Sequence, residues 1–200
     1  MASVSIVPWL GAGAFALTLA CGACAPSVAA PAGERPTLLI VGEDSDPEAV
    51  PRGNRVFTRM LGALADAMIE RGFKAYDENA AGISLGARVH RTDAELTTIA
   101  RSIPQQPVDA VVVVQLHAST ARGPSSALEV RARMAGHMIL MQTGRSLNNF
   151  ELVSEAAPLT RTCDRNCVLD NTGDAAQSIA GKLAVVLARQ FEQEFPAGAR

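Results

Sequence analysis

The chain has 200 residues, with 18 Lys and Arg against 20 Asp and Glu, a formal net charge of -2, and 48% hydrophobic against 19% charged residues. This length holds one domain with a real core rather than two, and the apolar fraction excludes disorder of the whole chain. No basic run exists (Arg131 and Arg133 alternate with apolar residues), so the stripe needed to neutralise phosphates is missing and nucleic-acid binding is not expected.

The first charged side chain is Glu34. The stretch from Ser5 to Ala25 is apolar and small, interrupted by Pro8, Gly11, Gly13 and Gly22, and it makes a poor permanent spanning helix. It reads as an export segment covering residues 1–29, and the remainder is expected on the far side of a membrane. Two processing routes stay open. One is cleavage after the small residues Ser27-Val28-Ala29 or Val28-Ala29-Ala30. The other is lipidation, because Leu17-Thr18-Leu19-Ala20-Cys21 resembles a bacterial lipobox, with Cys24 as the alternative acceptor. Thr18 stands where the lipobox prefers Leu, and the segment has no leading Lys or Arg. A Pro- and Ala-rich linker, residues 30–36, follows, and one domain is expected over residues 37–196.

Within that domain Thr37 to Gly42 is a short apolar run and predicts a buried strand. A polar loop with Glu43, Asp44 and Asp46 follows. Asn54 is placed to cap a helix whose apolar residues Phe57, Met60, Leu61, Leu64 and Met68 recur at helical spacing up to Gly72. Phe73 to Asp77 alternates and predicts a second strand. Thr92-Asp93-Ala94-Glu95 is a capping box opening a short helix to Ile103. Asp109 to Leu116 is apolar on both faces and predicts a central strand, with a hairpin loop over residues 119–126.

Leu128 to Met141 alternates in its first half and predicts a half-buried strand, with Gly136 as a bulge. A turn at Gln142-Thr143-Gly144-Arg145 leads to a partner strand over residues 147–153, and a last helix is predicted from about Asp174 to Phe195. The order β-α-β-α-β-β-β-α predicts an α/β (α+β) fold: a mixed sheet ending in an antiparallel meander, with helices mainly on one face.

Cys163 and Cys167 sit among turn-forming residues, and in an oxidising compartment they are expected to form a disulfide that pins the loop entering the last helix. Redox-active pairs more commonly have two intervening residues, not three. No phosphate loop, nucleophile elbow or metalloprotease helix is present, so no catalytic residue, cofactor or metal site is expected. The three histidines, His90, His117 and His137, are far apart in sequence, and a hairpin centred near Gly123 sets His117 opposite a residue near Glu129. Glu43, Asp44, Arg52 and Arg55 form the candidate binding set, since ligand sites gather at the C-terminal ends of strands in α/β sheets. The same residues serve equally as a solvated acidic loop paired with two arginines. Met134, Met138, Leu140 and Met141 are either core or a partner surface.

The element order, the strand Asp109 to Val114, and the hairpin running from Val130 to Arg145 resemble a shared bacterial envelope fold. Its members include flagellar outer-membrane lipoproteins of the FlgO type, curli-secretion lipoproteins, penicillin-binding-protein activator lipoproteins and the N-terminal domain of TolB. Thr143-Gly144-Arg145 keeps the Thr-Gly-basic part of the family's late turn. Gly42-Glu43-Asp44, Val50-Pro51-Arg52 and Arg55-Val56-Phe57 are most similar to the FlgO type. The resemblance implies a non-enzymatic accessory lipoprotein that faces the periplasm from the outer membrane. Its implied partners are envelope proteins, with the flagellar base as one host and self-assembly into a ring as one mode. The alternative is a periplasmic domain that binds a small ligand, a cation or cell wall.

Overall fold

The computed structural model describes residues 35–83, 90–103, 107–123, 127–160 and 162–195, which fall in one compact unit, Gly33–Arg200. The export segment, with Cys21 and Cys24, lies outside the described residues. In chain order the elements are β1 Thr37–Gly42, α1 Arg55–Glu70, β2 Lys74–Asp77, α2 Asp93–Arg101, β3 Ala110–Arg122, β4 Leu128–Leu140, β5 Ser146–Val153, β6 Ala157–Pro158 and α3 Arg165–Glu194. The fold is α+β, with one mixed sheet in the order β2-β1-β3-β4-β5 and β6 added beside β4. Strands β2 and β3 run parallel to β1, and β4, β5 and β6 are antiparallel to their neighbours.

The connections explain the layering. The chain moves from β1 to β2 in one direction, then passes back over β1 to reach β3. Crossovers of the usual right-handed sense in opposite directions put their helices on opposite faces. Accordingly α1 and α3 cover one face, where Phe57, Met60, Leu64, Leu183, Leu187 and Phe191 close over Leu38, Ile40, Val112, Val114, Met134 and Met138. Helix α2 covers part of the other face, where Leu96 and Ala100 meet Leu39, Val41, Val111, Val113 and Ile139. The methionine group is therefore core: Met134 and Met138 are fully buried on the first face and Met141 is buried on the second.

The predicted caps are present. Asn54 accepts from Val56 N–H, and Thr92 and Glu95 complete the capping box of α2. Gly72, at φ 83°, takes the left-handed position just beyond α1. Arg145 of the late turn is held at 2.8 Å by Glu194 at the end of α3.

Several boundaries differ from expectation. Strand β3 runs on to Arg122, which moves the hairpin centre outward and sets His117 opposite Arg133, not near Glu129. The irregularity beside Gly136 falls on β5. Between the pairs Gly136–Phe150 and Met138–Leu147, β4 advances two residues and β5 three. Gly136 instead permits close approach, since a Cβ there would collide with the Val113 carbonyl oxygen and lie 2.7 Å from the Phe150 ring. The short strand β6 was not foreseen.

The last helix begins at Arg165, nine residues before Asp174. Asp164 caps it, and the helix continues through Gly173, where it passes close to α1: a Cβ there would be 2.7 Å from Arg59 Nη1. Ion pairs Arg55–Asp170 (3.1 Å) and Arg59–Asp174 (3.2 Å) join the two helices along this stretch. Val186, although apolar, is 36% exposed on this helix.

Leu183→Ala, at a fully buried position between the helices and the sheet, is expected to lower unfolding free energy by about 2–5 kcal/mol. Val186→Ala should change it by less than about 0.5 kcal/mol. Urea unfolding followed by circular dichroism measures both.

Candidate functional site

Strand β1 ends at Gly42 beside β3, which runs on to Arg122, and the chain leaving β1 returns to bridge β3 at Ala49–His117. Glu43 is the first residue beyond β1, its N–H extending the ladder to the Val114 carbonyl at 2.9 Å. Its carboxylate accepts from Ser45 Oγ (3.0 Å) and Gln115 Nε2 (3.1 Å) and meets His90 Nδ1 at 2.5 Å. Only 12% of the Glu43 side chain is exposed.

Glu43, Asp44, Arg52 and Arg55 do not form one site. Asp44 is buried, with Oδ2 accepting from Arg52 N–H at 3.0 Å and Oδ1 without a partner among the described residues. It is no solvated acid. The Arg52 guanidinium turns away to Glu78 (Nη2–Oε1 2.5 Å, Nε–Oε1 3.2 Å), whose second oxygen accepts from Gly42 N–H at 3.1 Å. Arg55, at the first position of α1, faces Asp170 on α3. Successive residues leaving a strand point to opposite faces, so Glu43 and Asp44 cannot serve the same side.

Each histidine lies beside a different carboxylate: His90 at Glu43, His137 Nε2 at Asp93 Oδ1 (3.0 Å), and His117 Nε2 at Asp46 (4.0 Å). His117 is buried and its Nδ1 has no partner among the described residues. No group of three or more His, Cys, Asp or Glu that could hold a metal occurs among the described residues.

Beyond the reach of α2 the second face of the sheet is open. There the register aligns Gln115, Ala135 and Glu151 across three strands, with Val113 opposite His137 in the next row. The small Ala135 leaves a dip between two long polar neighbours. The resulting groove, about 450 Å³, is lined by Glu43, Gln115, His137, Asn149 and Glu151 over Val113, Ala135, Gly136 and Phe150. Further along, Arg133 and Glu151 pair at 3.6 Å and Arg131 and Glu129 at 3.7 Å, a charged, wetted surface. Sequence reading missed Gln115, although it is the single polar residue interrupting a run of valines and leucine. Glu78, Asn149 and Glu151 carried no signal, because their partners come from remote elements.

A second hollow lies on the helical face, where Val50, Pro51, Ala118, Thr120, Val168 and Leu169 line about 290 Å³ between the starts of α1 and α3 and the outer half of β3. Just before Val168 in the chain is the expected disulfide, Cys163–Cys167, with Cα atoms 5.3 Å apart. It spans the N-cap of α3, so it staples the entering loop to the first turn of the helix.

Arg52→Ala would leave Glu78, 8% exposed, charged without its cation, and is expected to destabilise the domain by about 3–5 kcal/mol. Arg55→Ala, at a pair more than half exposed, should lose less than about 1 kcal/mol. Urea midpoints distinguish the two. Hydrogen bonds from Thr92 N–H and then Thr92 Oγ1 hold the Glu95 carboxyl below its usual value of 4.5. The capping-box contribution is thus complete above that value and is lost as pH falls through the lowered one. Amide exchange across α2, which presents Asp93 to His137, is expected to accelerate in that acidic window while that of α1 does not.

No helix among the described residues is long and apolar enough to cross a membrane. No family model matches the chain, and no curated protein matches it. Among solved structures, protein XCC0632 from Xanthomonas campestris is similar at 12% identity and a TM-score of 0.47, covering 84% of this chain and 93% of that one. Lipoprotein GNA1162 from Neisseria meningitidis is similar at 14% identity and a TM-score of 0.44, covering 79% and 99%. Uncharacterized lipoprotein B from Nitrosomonas europaea is similar at 13% identity and a TM-score of 0.35, covering 80% and 88%.

Proposed function

We propose that this chain is an exported, lipid-anchored envelope protein that acts by binding partner proteins on the periplasmic side, with the flagellar base as one host assembly. The observation that carries the reading is the uncharged leader ending in Leu17-Thr18-Leu19-Ala20-Cys21, followed by a folded domain with a disulfide at Cys163–Cys167. Disulfides of this kind persist in oxidising compartments. Two features of the domain suit docking rather than turnover. The face over β3, β4 and β5 is open and carries paired charges. The β3–β4 hairpin, thirteen residues on each side, spans about 40 Å from the end of the sheet where β1 begins.

Mass spectrometry of the mature protein is expected to find Cys21 as a diacylated N-terminus, and Cys21→Ser should release the protein from membranes. Crosslinking in intact cells followed by affinity purification from solubilised membranes should recover an envelope partner. Recovery of the protein alone, or of an unprocessed cytosolic form with reduced thiols, would count decisively against this function.

The groove beside Glu43 favours a second reading, a binding domain for a small polar ligand of the cell wall, with Glu43, Gln115, His137, Asn149 and Glu151 as its polar groups. Calorimetric titration with muropeptides tests it. Saturable heat that Gln115→Ala weakens at least tenfold supports the reading, and no heat at millimolar ligand removes it.

A further inference from the structure

We propose that the Cys163–Cys167 disulfide is exchangeable rather than purely structural, accepting electrons from a dithiol, with Cys167 as the thiolate that leaves. This goes beyond the docking role and rests on the geometry at the start of α3.

Asp164 is the N-cap, so Cys163 precedes the helix and Cys167 is its third residue. Helical side chains lean toward the N-terminus, which sets the Cys167 sulfur over the first turn. Asp164 Oδ1 accepts the Cys167 N–H at 2.9 Å, while the N–H groups of Arg165 and Asn166 have no acceptor among the described residues. Free N–H groups and the helix dipole at this end favour an anion, and a cysteine so placed favours the thiolate. A second, independent feature singles out Cys167. Asn171 Nδ2, anchored by the Cys167 carbonyl at 2.8 Å, lies 3.6 Å from the Cys167 sulfur. No such donor meets the Cys163 sulfur among the described residues. The acids at this end are Asp164, whose Oδ1 is engaged by the Cys167 N–H, and Asp170, which is paired with Arg55.

The bond is also weakly coupled to the fold. Its two cysteines are four residues apart, so it restricts little chain in the unfolded state. Both are half-buried, and the first buried residue of α3 is Thr172, one turn further on. Reduction therefore frees the cap and first turn without opening the core, and little folding energy holds the bond closed. Val168 and Leu169, next to Cys167, line the hollow on the helical face, so the redox state sets the shape of its rim.

The exchange balances as a two-electron transfer. One thiolate of the dithiol attacks the Cys163 sulfur, forms a mixed disulfide and expels Cys167 as thiolate. The second thiol of the dithiol gives its proton to water and attacks its own partner sulfur. Cys163 leaves and is protonated, and the dithiol ends as its disulfide.

The test uses the full chain in detergent, equilibrated with dithiothreitol of graded reduced-to-oxidised ratio, acid-quenched and read by mass. Asn171→Leu is expected to need at least threefold more reductant for half-reduction, with the reduced wild-type protein keeping its near-ultraviolet circular dichroism. On that reduced protein, iodoacetamide should modify Cys167 at least tenfold faster than Cys163. Equal alkylation rates, or loss of tertiary structure in step with reduction, would overturn the proposal. If Asn171→Leu does not fold, the wild-type rate ratio decides alone.

Discussion

The structure hangs on the burial of β3 on both of its faces. Val111 and Val113 look toward α2 while Val112 and Val114 look toward α1 and α3, and all four are at most 2% exposed. A strand so covered can exist only if helices approach from both sides, and the two opposite crossovers from β1 and β2 supply them. The same strand then outruns its parallel neighbour. Beyond Gly42–Val114, among the described residues, it has β4 as its strand partner and a single bridge at Ala49–His117, so one element builds the core and carries the projecting hairpin.

That change from enclosed to open explains where polarity appears. Gln115 is the first inward position of β3 on the second face that α2 does not cover, and there the chain switches from valine to a hydrogen-bonding side chain. Glu43 answers it from the end of β1. Around them sit His90, His137 and Glu151, each brought by a different element. On the opposite side of the same strand end, the buried pair Arg52–Glu78 ties the start of α1 to the end of β2 through Gly42. The end of β1 thus carries a structural ion pair on one side and borders the groove on the other.

The helical face shows a parallel division of labour. Helix α3 is buried from Thr172 to Phe191 and held to α1 by arginines on α1 and acids on α3. Its first turn extends past that core and is secured by local means, the Asp164 cap and the disulfide.

Much of this architecture was legible in the residues themselves. Caps at Asn54 and Thr92, apolar spacing in α1, the two-sided apolar run of β3 and the pairing of the two late cysteines all depend on neighbours within a few residues, and short-range stereochemistry determines such features. The extent of β3, the start of α3 and the site of the β5 irregularity were not legible, because each is decided by what packs alongside: a second strand, the crossing helix α1, the pleat of β4. Closeness in sequence groups Glu43, Asp44, Arg52 and Arg55 as one binding set, but in the fold they take different partners. Glu43 and Asp44 are adjacent in the chain but face opposite sides of a sheet, and Arg52 finds its carboxylate 26 residues away on Glu78. Charge pairing acts through space over a few ångströms, so sequence proximity names the charged residues, while only the folded layers choose which of them meet.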